Sequence, residues 1–384
     1  MRATSRTVND ARIYLDWNAT TPPLDAVVAA MVDVARAAWG NPSSVHAVGR
    51  SARGRVEDAR EAVAALMHCD PRDVVFTSGG TEANNLALRT GWNEGGVLVT
   101  SRLEHPSISR VAEMLERDGG TRVRWLRVRE EGTIDLADLE AALAEGDVRL
   151  VALQAVNHET GVVQPVDEAI ALAHRHGARV HVDAVQAVGR VDAIGVAADT
   201  RSIAAHKIRG PKGIGALVTR SGARIDPVVV GGSQERGVRP GTLDAVAASG
   251  FAVAVRHAVD GASRYRAIAA LRDELERALL ATLPGSSVNG VAARAPHVTN
   301  IVCRGWGGPE LVAALDLEGV CASSGSACSA GTAEPSPVLA AMFGDDARAS
   351  SSLRFSLGET TTRDDVTAAI SAFVRVVARD KNAP

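Results

Sequence analysis

Residues 148–186 read VRLVALQAVNHETGVVQPVDEAIALAHRHGARVHVDAVQ. An apolar run at 148–153 leads to an amphipathic stretch at 166–176, and a second apolar run at 179–183 ends in Asp183. This is strand, helix, strand, with too little alternation in the strands for either face to meet water, as in a parallel sheet covered on both sides. The same grammar extends outward: residues 73–77, 97–100, 123–126, 202–205 and 215–219 also read as short apolar strands. Amphipathic stretches at 82–89, 108–117 and 136–144 lie between them. The fold class is therefore α/β, with a mostly parallel seven-stranded sheet that binds ligands beyond the carboxyl ends of its strands.

Near residue 260 the pattern changes. A long helix is expected at 264–283, strands near 298–303 and 352–356, and helices near 309–317 and 364–378. This reads as a smaller α+β domain. The expected division is a large domain at 16–259 and a small one formed by 1–15 with 260–384. The 384 residues are 46% hydrophobic and 23% charged, enough apolar material for a core. A net charge of −3 gives no nucleic-acid footprint. No 18-residue apolar run suggests a membrane span, and the N-terminus has no apolar signal region. A soluble cytoplasmic protein is expected, with neither a nucleic acid nor a membrane as partner.

Lysine is nearly absent: only Lys207, Lys212 and Lys381 stand beside 39 arginines. Lys207 lies in AAHKIRGPKG, just past a strand and before a turn, where it is either a solvated turn lysine or a Schiff-base amine. Asp183 at its strand end is either a helix N-cap or a buried carboxylate awaiting a cation, such as a pyridinium nitrogen, with Gln186 three residues on. The turn TSGGTE at 77–82 joins a strand to a helix and could seat a phosphate on free amides, although it fits neither a GxGxxG nor a P-loop pattern. Cys328 sits among small residues in ASSGSACSAG, a loop thiol, whereas Cys69 and Cys303 lie in or beside apolar stretches. No CxxC pair occurs, and no metal site is expected. His105 follows a strand, and Arg354 inside an apolar strand needs an anionic partner, such as a substrate carboxylate.

Eight ordered stretches, YLDWNATTP (14–22), GNPSSVH (40–46), FTSGGTE (76–82), ETGVVQP (159–165), HVDAVQ (181–186), HKIRGPKG (206–213), GGSQERGVRPGT (231–242) and SSGSAC (323–328), resemble cysteine desulfurases of the NifS/IscS type. These are class V aminotransferase relatives with the pyridoxal-phosphate fold type I. The resemblance spans about Tyr14 to Thr362. It implies pyridoxal 5'-phosphate (PLP) on Lys207, Asp183 at the ring nitrogen, Gln186 at the ring's phenolate oxygen and His105 stacked on the ring. It implies a phosphate seat at Gly80, Thr81 and His206, with Thr242 reaching the phosphate of a neighbouring subunit in a homodimer. Asn41 and Arg354 would hold the carboxylate of L-cysteine. Cys328 would take its sulfur as a persulfide, leaving alanine, and pass it to an acceptor protein such as an iron–sulfur scaffold. Other group-transfer or lyase chemistry on this scaffold, such as an aminotransferase, would not need the loop thiol.

Two residues depart from the family pattern. His158 stands where the family has a cofactor-touching Asn, so its protonation state enters the chemistry. Ala204 stands where the family has a phosphate-binding Ser, which predicts weaker cofactor retention. The chain also stops soon after its last helix, whereas relatives that dock an iron–sulfur scaffold extend further, so docking in that mode is not expected.

Overall fold

The computed structural model describes residues 12–92, 95–325, 335–344 and 346–380. The chain runs β1 (Ile13–Tyr14), α1 (Asp25–Ala37), α2 (Ala47–Met67), β2 (Val74–Thr77), α3 (Gly80–Leu88), β3 (Val97–Ser101), α4 (Pro106–Arg117), β4 (Arg122–Leu126), α5 (Leu136–Ala144) and β5 (Val148–Gln154). It continues with α6 (Val166–Arg175), β6 (Arg179–Asp183), β7 (Thr200–Ala204), β8 (Gly215–Thr219), α7 (Ala245–Ala258) and α8 (Gly261–Thr282). The remaining elements are β9 (Ser287–Val288), β10 (Val298–Val302), α9 (Gly308–Leu317), β11 (Val320–Cys321), α10 (Pro337–Phe343), α11 (Asp346–Ser350), β12 (Ser352–Ser356) and α12 (Arg363–Asp380).

Seven strands form one sheet in the order β2-β8-β7-β6-β5-β3-β4. Only β8 runs against its neighbours, antiparallel to both β2 and β7. The carboxyl ends of β2, β3, β5, β6 and β7 therefore share one edge. Along β2 and β5 alternate residues face opposite cores. Val74, Phe76, Val151 and Leu153 pack with α2 and α7 residues, while Val75, Leu150 and Ala152 pack with Leu86 and Ile108 of α3 and α4. Both faces are dry, which is why the strands lack polar alternation.

A separate apolar cluster joins Leu15, Leu275, Ile301, Phe355 and Phe373, around the antiparallel sheet β12-β10-β9 and the helices α8, α9 and α12. Helices α1, α2 and α7 were not singled out in the sequence. α7 buries ten of its 14 residues, so it is apolar nearly all round and shows no amphipathic stripe. The expected strand at 202–205 is instead Thr200–Ala204, because β7 begins where Thr200 pairs with His181. Among the described residues, no helix is long and apolar enough to cross a membrane.

The turn before α7 is held by a buried ion pair. Glu235 and Arg236 both adopt left-handed backbone, φ 45° and 56°. The Glu235 carboxylate accepts from Arg60 Nη2 (2.6 Å), Arg60 Nη1 (3.0 Å) and the Phe76 amide (2.7 Å). Removing the carboxylate leaves the buried guanidinium only the half-exposed Glu57 (3.0 Å) and the Val74 carbonyl (2.8 Å). Glu235→Ala should therefore cost about 3–5 kcal/mol, read as a lowered urea midpoint, with Arg60→Met/Glu235→Met less damaging than either single loss.

Candidate active site

Lys207 and Asp183 line the same cavity, of about 250 Å³, with Gly80, Thr81, His105 and His158 around them. Asp183 is the last residue of β6, and Lys207 follows β7 in a single 3-10 turn. Gly80 opens α3, whose N-terminus has no side-chain cap. Gly79 before it adopts φ 155°, ψ −174°, a region essentially restricted to glycine. The uncapped amides and the helix dipole make a seat for a phosphate. His206 and Ala204 close the same wall, and the His206 ring bonds Thr20 Oγ1 at 3.1 Å.

These features fit PLP: an amine, a carboxylate, uncapped helix amides and space for a flat ring share one cavity. Lys207 Nζ donates to the carbonyls of Asn18 and Ala19, the latter at 2.9 Å. Gln186 lines the cavity, but its Nε2 donates to the Asn18 carbonyl (2.9 Å) and its Oε1 accepts from Arg190. The Arg190 guanidinium, 1% exposed, also reaches Asn18 Oδ1 (3.0 Å) and the carbonyls of Trp17 (3.1 Å) and Lys207 (2.8 Å).

A second cavity adjoins the first through Lys207, His105 and His158, and Arg354 and Glu159 line it. Arg354 is buried in β12. It donates to the His158 carbonyl (2.9 Å) and Asp16 Oδ1 (2.5 Å), while its Nε has no hydrogen-bond partner among the described residues. The described ends of the loop that holds Cys328 meet this cavity. Ser323 pairs with Arg354 through both backbone bonds (2.7 and 3.1 Å), and Pro335 lines the wall. Cys328 itself lies outside the described residues.

Asn41 and Thr242 line neither cavity and are exposed. The Asn41 side chain accepts from the Ser43 amide (2.9 Å), ahead of α2.

Burial dominates the protonation of the site. It lowers His105 and pushes His158 well below the usual imidazole range, and Lys207 adds to both effects. It brings His181 and His206 down to about 4. It also raises Glu104 well above the usual carboxyl range, and raises Glu159. His158 Nε2 lies 3.6 Å from Glu159 Oε1, and its ring meets that of His105 edge to face at 5.3 Å. The other thiols are not primed. Burial raises Cys69 to about 11, Cys303 to about 12, and also raises Cys321.

Sequence reasoning missed Asn84, Ser107, Arg190 and Asn18. Asn84 and Ser107 sit on buried helix faces, and a polar residue there is the one signal that could have found them.

The aminotransferase class-V family model matches residues 13–368. A cysteine desulfurase of Nostoc sp. is 40% identical over 96% of this chain and 93% of its own length. An IscS-like cysteine desulfurase of Mycobacterium tuberculosis is 40% identical over 96% of this chain and 97% of its own. The solved structure of a NifS-like protein superposes with a TM-score of 0.88 at 30% identity, covering 96% of this chain and 100% of that one.

His181 and His206 are held neutral in the fold and would protonate near pH 6.5 when unfolded. Between about pH 6.5 and 4 the unfolded chain therefore binds more protons, and stability falls as pH falls. Each site should contribute a slope of up to about 1.4 kcal/mol per pH unit. Denaturation of the cofactor-free protein across this window checks it, and His181→Gln should flatten the slope.

Proposed function

The chain belongs to the aminotransferase class-V family, whose near full-length relatives are PLP-dependent cysteine desulfurases, and from that premise we propose how its own residues perform the cysteine desulfurase reaction. The observation that carries the reading is the single cavity shared by Lys207, Asp183 and the uncapped start of α3. Lys207 would hold PLP covalently, with Asp183 at the ring nitrogen and Gly80, Thr81 and His206 at the phosphate. When bound, PLP supplies an electron sink that lets the α-carbon of an amino acid lose its proton.

Arg354, oriented by Asp16 and the His158 carbonyl, receives the carboxylate of L-cysteine. The Lys207 amine, steered by the carbonyls of Asn18 and Ala19, moves the α-proton. His105 would lie against the ring and hold or move a proton at its Nε2. His158, in place of the family's Asn, and Gln186, with the amide hydrogen not given to Asn18, would hold the ring from the same cavity. The Cys328 thiolate attacks the substrate sulfur: the carbon–sulfur bond breaks, a sulfur–sulfur bond forms, and the former Cβ takes a proton to give alanine. The loop then offers the persulfide to an acceptor protein, for which an iron–sulfur scaffold is one candidate.

The protein acts as a homodimer in the cytoplasm, in which Thr242 reaches the cofactor phosphate of the partner copy. Supporting this, Thr242 is exposed, and so are the large apolar residues Trp39 (72%), Val45 (83%) and Val230 (91%), which a monomer would leave in water. The boundary near residue 260 would divide a PLP-binding domain from a smaller one with its own apolar cluster around β10, β12 and α12.

Purified protein should show the visible absorbance of bound PLP, lost in Lys207→Ala. Cys328→Ala should keep that absorbance while alanine formation from L-cysteine falls at least about a hundredfold. Equal alanine formation by wild type and Cys328→Ala would remove the thiol from the mechanism. At 204, a hydroxyl donor to a charged oxygen is worth roughly 1–3 kcal/mol, so Ala204→Ser should lower the PLP dissociation constant by about tenfold. Dialysis with absorbance measures it.

A further inference from the structure

Two buried polar side chains, Asn84 and Ser107, connect Asp183 to His105, and His181 and Thr200 anchor the first of them. Asn84 of α3 donates from Nδ2 to Asp183 Oδ2 (2.8 Å) and to Ser107 Oγ (2.8 Å). Its Oδ1 lies 3.0 Å from His181 Nε2, and His181 Nδ1 lies 2.9 Å from Thr200 Oγ1. Ser107 Oγ lies 2.8 Å from His105 Nδ1, and the Ser107 amide donates to that same nitrogen at 3.1 Å. His181 is fully buried, and Asn84 is 1% exposed.

The proton inventory has one solution. An ionised Asp183 accepts only, so the amide nitrogen of Asn84 must face it. Asn84 Oδ1 then faces His181, which must donate from Nε2, and the Thr200 hydroxyl donates to its Nδ1. Ser107 Oγ accepts from Asn84, so its own proton goes to His105 Nδ1. That nitrogen receives two donors and carries no hydrogen, which leaves the proton of the neutral ring on Nε2.

We infer that Asn84 and Ser107 are positioning residues: they bridge Asp183 to His105, aiming the carboxylate and fixing the His105 ring as its Nε2–H tautomer. The bridge rests on the reading of Asp183 and His105 as cofactor-facing groups. It makes the two walls of the cavity one hydrogen-bonded unit, with β6 and β7 on one side and the start of α4 on the other. Neither residue needs to touch substrate. His105 itself is faced by Asp183, which favours its charged form, and by Lys207, which opposes it, with the His158 ring against its edge. Losing the Ser107 hydroxyl removes a donor that stabilises the unprotonated Nδ1, so His105 should take up a proton at higher pH.

Ring-13C histidine labelling of the cofactor-free protein tests the bridge first, using the resonance that disappears in His105→Gln. The wild type should show the Nε2–H tautomer, and Ser107→Ala a mixture that Ser107→Thr restores. An Nδ1–H ring in the wild type overturns the inference, whether or not the protein takes up PLP. With PLP present, Asn84→Ala should weaken its binding on the order of tenfold, as expected for a lost donor to a charged group. Ser107→Ala should bind PLP as the wild type does but move the acid limb of alanine formation to higher pH. Wild-type PLP affinity in Asn84→Ala, or an unmoved acid limb in Ser107→Ala, also overturns it. If Asn84→Ala does not fold, Ser107→Ala alone decides. A wild type without PLP absorbance would instead defeat the cofactor reading and leave the ring measurement standing.

Discussion

The site depends on a buried guanidinium, that of Arg190, with no carboxylate in hydrogen-bond reach among the described residues. Arg190 spends its donors on the carbonyls of Trp17 and Lys207, on Asn18 Oδ1 and on Gln186 Oε1. A buried charge is tolerated only when dipoles surround it, so three segments far apart in sequence must converge on one point. The consequence is geometric. The backbone of Lys207, the side chain of Gln186 and the 14–22 segment are held in one relation before any ligand arrives. The Asn18 carbonyl then takes both the Lys207 amine and the Gln186 amide. The same segment ties the second apolar cluster to the large sheet, since Trp17 and Asn18 amides bond Ser356 while Thr21 bonds the His206 carbonyl.

Around this knot, burial sets the charge pattern. Imidazoles at 105, 158, 181 and 206 are held neutral, and carboxyls at 104 and 159 are pushed toward their protonated forms. Lys207, Asp183 and Arg354 share the two adjoining cavities with these groups, His181 excepted, and burial strengthens each interaction among them. It also gives His158 a meaning the family's Asn does not have. Its ring lies edge to face with that of His105, and its Nε2 lies 3.6 Å from the buried Glu159 carboxyl.

Much of this was legible in the chain. Alternating apolar runs and amphipathic stretches identified the seven strands, because a sheet dry on both faces must be apolar throughout. Lys207 stood out through the scarcity of lysine and Asp183 through its place at a strand end. Helix α7 was less legible because it is buried on nearly all sides, and the boundaries of β7 were set by pairing with β6. Asn84 and Ser107 were invisible as functional residues. Each is an ordinary polar residue on a helix, and only the approach of α3, α4 and β6 makes them a bridge.

The sequence by itself determined the class of fold and singled out Lys207, Asp183, the 77–82 turn and Arg354, since each is a residue type in a local setting that demands a partner. Tertiary structure alone decided which partners those are. It turned Gln186 toward Asn18 and Arg190, gave Arg354 to Asp16, and set His105 Nδ1 against the amide and hydroxyl of Ser107. Hydrogen bonds between segments up to 338 residues apart depend on directions and distances of a few tenths of an ångström. No local pattern encodes those; they exist only once the sheet edge has gathered its loops.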